Sequence, residues 1–301
     1  MWFFVALSGY AISSVVNILD KFVLDKTVRK PVAFVFYSTI FALLFLLLIP
    51  LKVGLLNCAF DYGLAILAGL TFVLGLWASY TGIQKSEVSH MGPFIGAVIP
   101  IFVFVFSFIF LNEYFLSRQL LAIVLLVFGS FIIALEKSKR HNGFQKGAIW
   151  GLLGGFLWAI FAVAAKYLYG RYDFVTGFVW TQGMVGASAL LLLFFPGVRN
   201  SLSGIFRPVD GVRDWKKGLF VMIAKLLGVI GLILVQYASS LGSVTIVYAL
   251  AGFQYALLII LVGLLSKFYS KFFKEKYSRW EIIQEIIAVL IIVVGLALLA
   301  K

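Results

Sequence analysis

Charge is scarce in this chain. Asp, Glu, Lys and Arg make up 12% of the 301 residues, against roughly 25% in soluble domains. Acid is the scarcer sign, with 12 Asp and Glu facing 25 Lys and Arg. Cys58 is the single cysteine, which excludes an internal disulfide, and with only two histidines there is no plausible zinc cluster. No G-x-x-x-x-G-K-[ST] phosphate loop occurs, which argues against an ATP-driven pump. Nor do the apolar stretches hold a carboxylate dyad, a metal set or a nucleophile triad, so an enzyme is not expected and no cofactor is implied. A cleavable leader is also missing from the reading. Met1 runs straight into Trp2-Phe3-Phe4-Val5 with no basic start and no small-x-small cleavage site, so the first apolar stretch is expected to stay as a span.

What fills the chain instead is hydrocarbon: 63% of residues are hydrophobic and mean hydropathy is +1.08. Apolar runs fall at about 2–20, 31–51, 62–82, 93–111, 118–135, 147–166, 174–195, 218–238, 243–265 and 281–300. Each is near the roughly 20 residues that a helix needs to cross a bilayer, and only helices or closed barrels satisfy their backbone there. The fold class expected is therefore an all-α integral membrane protein of ten transmembrane helices. The net charge of +13 sits in short clusters between the runs, a topology signal rather than a nucleic-acid surface, so no nucleic-acid partner is expected.

The two halves align. Leu19-Asp20-Lys21-Phe22-Val23 matches Ala164-Ala165-Lys166-Tyr167-Leu168 at an offset of 145. Val88-Ser89 through Gly96-Ala97 matches Val244-Thr245 through Gly252-Phe253 at 156, and Gly129 matches Gly295 at 166. A unit of five spans is odd, so the second copy enters the membrane inverted. The repeats are read as 1–142 and 143–301. Connections after the odd-numbered spans hold 19 Lys and Arg, while the others hold Lys52, Arg118, Lys166 and Arg171. The positive-inside rule then places both chain ends outside a plasma membrane, expected to be prokaryotic.

From Ser86 to Ile133 the chain shows a polar entry, Gly92-Pro93, Gly96, Pro100, Asn112-Glu113 closing the fourth span, Gln119 opening the fifth and Gly129 near its end. A weaker copy runs from Leu241 to Leu298 with Glu275 in the acidic place. These features resemble the drug/metabolite transporter superfamily, and within it the ten-helix EamA-like members. The resemblance implies spans 1, 3, 4, 6, 8 and 9 around a central cavity, with spans 5 and 10 bracing them. Two departures stand out. The family is usually drawn with both ends in the cytoplasm, opposite to the loop charges here. In the four-helix small multidrug resistance relatives a proton-binding glutamate lies about two turns before the position of Lys21. That register falls on Ser13 here and on Trp158 in the second half, neither of which binds a proton.

Lys225 is the sharpest single residue. Its Cα lies about 10 Å inside the hydrocarbon edge at 1.5 Å rise per residue, and a central lysine costs at least about 2.5 kcal/mol on insertion scales. An ammonium at this depth either meets an anionic group on a substrate in a wet cavity, snorkels toward Lys216 and Lys217, or pairs with a carboxylate such as Glu285 or Asp20. Gly228, Leu232 and Gln236 share its face, with Gly69, Phe72, Leu76 and Tyr80 as first-half mates. The ninth span presents Thr245, Tyr248, Gly252 and Tyr255. Gly92 and Gly96 make a small-xxx-small face suited to packing. Tyr10, Ser13, Ser14 and Asn17 lie within two turns of the first span; the serines can bond their own backbone, but the Asn17 amide needs a partner elsewhere. Trp77 and Trp158 are candidate aromatic walls or belt residues. Asp20, Lys21, Lys166, His90 and Glu113 read as solvated helix ends, with Asp20 and Glu285 the candidates for a coupling proton. The aromatic, basic segment from Lys267 to Arg279 reads as an anchor on anionic headgroups.

The substrate-binding set expected is Lys225, Gln236, Tyr248, Tyr80, Asn17, Ser13, Tyr10, Trp77, Trp158 and Thr245. The function expected is a secondary transporter that moves a small polar metabolite with an anionic group by alternating access. A lipid or lipid-linked headgroup flippase of the same fold is the alternative. Expected partners are a small-molecule substrate, membrane lipid and a coupling ion or exchanged solute, for a monomer or homodimer.

Overall fold

A computed structural model of the chain describes residues 1–26, 30–50, 53–85, 88–134, 147–206, 215–268 and 279–300. It is all-helical among these residues. In chain order the elements are α1 (Trp2–Lys26), α2 (Pro31–Thr39), α3 (Ala59–Lys85), α4 (Val88–Phe110), α5 (Ser117–Ala134), α6 (Ala148–Arg171), α7 (Phe174–Leu191), α8 (Pro196–Phe206), α9 (Trp215–Leu241), α10 (Val244–Ala249), α11 (Ala251–Phe268) and α12 (Arg279–Ala300). Among the described residues, nine segments are long and apolar enough to cross a membrane, and Ile283–Leu299 is a shorter apolar helix. The boundary expected at 142 and 143, the anchor from Lys267 to Arg279 beyond Phe268, and the side chains of Lys21, His90, Lys216 and Lys217 lie outside what is described.

Three elements depart from uniform spans. After Thr39 the second span tightens into a 3-10 helix, Ile40–Leu48. It runs against two glycines of α7: a Cβ on Gly186 would collide with the Leu43 backbone, and one on Gly183 with the Leu46 side chain. The ninth span breaks at Leu250 between α10 and α11, where Phe253 N–H reaches back only three residues to the Leu250 carbonyl at 2.9 Å. Offset by 156, Ala249 corresponds to Pro93, which lacks an N–H inside α4. Both members of the pair therefore depart from a regular backbone ladder within one turn of the same register. The third departure is α8, an extra short helix where a loop was expected, opened by Pro196.

Several hydroxyls within the spans are satisfied by the backbone of their own helix. Ser13 bonds the Gly9 carbonyl at 2.9 Å, Ser14 that of Ala11 at 2.7 Å, Thr71 that of Leu67 at 2.7 Å and Thr181 that of Gly177 at 2.8 Å.

Packing follows the small residues, as expected where lipid leaves little hydrophobic drive between helices. The helix α1 lies antiparallel on α9: a Cβ on Gly9 would sit 2.9 Å from Val235 Cγ2 and 3.1 Å from the Gly231 carbonyl. On the other side α6 lies antiparallel on α3, where a Cβ on Gly154 would sit 2.6 Å from Ser79 Oγ and 3.3 Å from the Gly75 carbonyl. The sequence offsets carry one contact onto the other, Gly9 to Gly154, Gly231 to Gly75 and Val235 to Ser79. Between α5 and α12 the correspondence closes on itself. A Cβ on Gly129 would sit 3.1 Å from the Ala288 carbonyl and one on Gly295 3.2 Å from that of Ala122, with Ile292 and Leu126 as the matching neighbours.

Candidate functional site: a central cavity closed at one end

A cavity of about 400 Å³ lies among α1, α3, α4, α6, α9 and the broken α10–α11 span, a volume that suits a small ligand. Ile133 of α5 and Glu285 of α12 also reach its wall. The helices that border it are those implied by the sequence resemblance.

One end of the bundle is tied shut by polar contacts. Trp2 at the start of α1 packs on Gly242 just past α9, so the end of α9 and the start of α1 share this side. Glu113, just beyond α4, accepts hydrogen bonds from Ser243 Oγ at 2.7 Å, Val244 N at 3.1 Å and Thr245 Oγ1 at 3.2 Å. It thereby satisfies a helix start with a carboxylate, the favourable sign at an N-terminus. Asn112 before it takes a left-handed backbone, φ 51°, which asparagine tolerates better than most residues. Ser107 and Thr245 share a buried hydroxyl contact of 2.6 Å. Lys166 donates to the carbonyls of Ser239 at 2.8 Å, Ser240 at 3.2 Å and Gly242 at 2.7 Å, capping the end of α9. Asp61 at the start of α3 accepts from Tyr172 Oη at 2.6 Å and pairs with Arg171 Nε at 3.1 Å. Two residues read as solvated ends, Glu113 and Lys166, are thus structural ties, because the loops they face are short and leave backbone groups to be capped.

The cavity occupies the middle and the opposite half. Its wall residues on α3 are Leu76, Ser79, Tyr80 and Ile83, near the end of that helix, while those on α4 run from Gly92 to Ile99, near its beginning.

Seven of the ten expected residues line it: Tyr10, Ser13, Asn17, Tyr80, Trp158, Gln236 and Tyr248. Three do not. Trp77 is partly buried away from the cavity wall and packs edge-on against Phe195, with ring centroids 5.0 Å apart. Thr245 is fully buried in the closed end with Ser107 and Glu113. Lys225 stands behind the wall, its Nζ 3.1 Å from Asp20 Oδ1 and 4.2 Å from the ring centre of Phe34. Of the roles open to it in sequence, the structure places it in the ion pair with Asp20, because an ammonium at this depth takes the nearest carboxylate.

Sequence reasoning left several wall residues outside the binding set. Tyr255 was weighed with Tyr248 as a wall residue or interface anchor but left out of the set, Asp20 was noted for another role, and Ser79 and Gln254 went unnoticed. Tyr255 lies over Gly92 and Gly96, where a Cβ on Gly96 would overlap the tyrosine ring. The small-residue face of α4 therefore seats a ring rather than a second backbone. A signal for Ser79 existed: it is the mate of Val235, a polar residue in one copy against an apolar one in the other. At the deep side Gln236 is 1% exposed; Tyr169 Oη points at its Oε1 from 3.5 Å, and its Nε2 interacts only weakly, with the Tyr248 phenol.

Comparison with known proteins agrees with this architecture. A family profile described as the EamA-like transporter family matches residues 1–135. No curated protein matches the chain. Among solved structures 29 chains match, and one, described simply as a crystal structure of a protein, is 14% identical with a TM-score of 0.64 over 99% of this chain and 94% of its own. Likeness at that identity shows the fold alone. Residues 1–135 thus match the EamA-like transporter family of the drug/metabolite transporter superfamily, and with nine apolar helices long enough to span a membrane among the described residues this supports an integral membrane transporter.

Proposed function

We infer that the chain is a secondary transporter of a small polar solute, held in the central cavity and released by alternating access. The observation that carries this reading is the cavity's asymmetry: polar wall residues at its middle, and ties between the two halves at one end. Ties between Glu113 and the Ser243–Thr245 turn join the first half of the chain to the second, as do those between Asp61 and the Arg171–Tyr172 pair. Their opening, with closure of the opposite end, is the movement the fold suggests. The exchange of the α1–α9 and α3–α6 contacts under the sequence offsets supports two inverted copies as the rocking units.

An anionic group on the substrate was expected from Lys225 alone. With that ammonium on Asp20, and with no Lys, Arg or His on the cavity wall among the described residues, the anionic requirement has no basis left. The reading retained is a small polar solute.

The test is a cavity-filling variant. Gly228 lines the cavity, and the nearest atom to a Cβ built on it is Val16 Cγ1 at 3.5 Å, so Gly228→Leu projects into space the solute would use. Purified protein is first screened for thermal stabilisation by amino acids, sugar phosphates, nucleotide sugars and amines, since a ligand stabilises by RT ln(1 + [L]/Kd). Flux of a stabilising compound into proteoliposomes is expected to fall to background in Gly228→Leu, with normal insertion. Equal flux in the variant and the parent would remove the cavity from the transport path.

A further inference from the structure

The charge on the cavity wall has one sign. Asp20 and Glu285 reach it, and among the described residues no basic side chain does. Asp20 has a double aspect: it borders the cavity, and it binds Lys225 from behind at 3.1 Å, with side-chain exposures of 15% for the aspartate and 31% for the lysine. In the same position the ammonium lies over the face of Phe34, 4.2 Å from its centre, a contact that favours a cation independently of the carboxylate. Phe34 in turn is braced edge-on by Tyr80, a wall residue, with centroids 4.7 Å apart.

Deeper in, two wall groups are poorly satisfied. The Ser79 hydroxyl is buried with no partner on a side chain that is 7% exposed, and the buried Gln236 amide nitrogen has only a weak interaction with the Tyr248 phenol. A buried donor short of acceptors is costly unless a ligand supplies one. Between these groups and Asp20 the wall carries Tyr10, Tyr248 and Tyr255. The complementary molecule has a cationic end, an apolar or aromatic body and an uncharged oxygen at the far end.

We propose that the cavity binds monocationic amines, with Asp20 as the counter-ion and Lys225 as a tethered ammonium that occupies Asp20 while the cavity is empty. An unpaired carboxylate at membrane depth is expensive, and Lys225 removes that cost in the empty state. An incoming ammonium takes over the pairing from the cavity side while Lys225 keeps the face of Phe34, so no charge is left bare at any point. An anion at the same place meets a carboxylate with no cation on the wall to offset it. The inference rests on the reading of this cavity as the transport site, and it adds the sign of the solute's charge. Glu285 is not required by it.

A matched series of phenols separates the possibilities: tyramine is cationic, tyrosol neutral and 3-(4-hydroxyphenyl)propanoate anionic on one ring system. By titration calorimetry of the purified protein, tyramine is expected to bind at least about tenfold more tightly than the propanoate, with tyrosol between them. Asp20→Asn should lower tyramine affinity by about tenfold and leave tyrosol nearly unchanged. Lys225→Met, which removes the internal competitor, should raise it several-fold. Because each single change leaves one charge unpaired, the double variant D20N/K225M serves as the neutral control, and in it tyramine and tyrosol should bind alike. Tighter binding of the propanoate, or a tyramine preference that survives in D20N/K225M, overturns the inference while leaving the cavity as a binding site. Absence of binding by all three phenols overturns it too. Flux of another solute that Gly228→Leu abolishes would then show that the transporter reading stands without it.

Discussion

At the scale of single residues, glycine decides where two helices can meet. In α3, Gly69 and Gly63 differ sharply although six residues apart in one helix. A Cβ on Gly69 would collide with the carbonyl group of Met184 in α7, and backbone cannot swing aside as a side-chain tip can. A Cβ on Gly63 would meet nothing within 4 Å. Gly69→Ala is therefore expected to destabilise by at least the 1–3 kcal/mol or so typical of overpacking, whereas Gly63→Ala should be neutral or stabilise by up to about 1 kcal/mol through helix propensity. Thermal unfolding of the two purified variants checks this, and equal midpoints would mean that α3 and α7 are not in contact as described. Neither environment is visible in the sequence, where both glycines sit in one apolar helical run. Lys225 is the opposite case: its depth alone demanded a partner, and Asp20 was among those named. Only the fold selects between Asp20, Glu285 and a solute, since the choice depends on how α1 and α9 are rotated against each other.

Elements were legible where one rule governs them and obscure where two compete. Long apolar runs bounded by charge leave helix as the economical solution, and among the described residues each run carries a helix. The break at Leu250 had no such signal, because Val244 to Val262 holds no charge or proline and reads as one span. Its mate in α4 carries Pro93, so a comparison of the halves could have located it. Helix starts were partly legible. Asp173 precedes α7 and accepts a bond from Thr176 N at 3.1 Å, with Thr176 holding its carboxyl below the usual range. A carboxylate depressed in this way contributes stability above its unfolded value, near pH 4, which is lost as pH falls through the folded value. Asp173→Ala should cost about 1 kcal/mol at pH 7, as N-cap losses do. Its melting midpoint should converge on that of the parent below about pH 4 as the parent's carboxylate becomes protonated. A constant gap across pH 3–7 would show that the charge of Asp173 plays no part.

For the molecule as a whole, the proposal of two matched halves implies that the tied end and the opposite end are built from corresponding residues with different chemistry. At the closed end Ser107 of α4 meets Thr245 of α10 at 2.6 Å. The offset of 156 that relates the halves carries Ser107 to Gly263 and relates Thr245 to Ser89. At the other end the corresponding pair is thus a glycine and a serine, which cannot form a contact between two side-chain hydroxyls. If transport requires the closed end to part, a covalent link there stops it. Two oxygens 2.6 Å apart bring their Cβ atoms into the range of a disulfide, so Ser107→Cys with Thr245→Cys, in a Cys58→Ser background, is the link to make. After oxidation by iodine, flux into proteoliposomes is expected to drop to background and to return with dithiothreitol. Ligand binding to the detergent-solubilised protein should survive oxidation, because the cavity reaches toward the opposite end and its wall includes neither residue. Flux that persists with the disulfide formed would mean that solute crosses without the two halves parting at Glu113 and Thr245, and alternating access about this cavity would have to be abandoned.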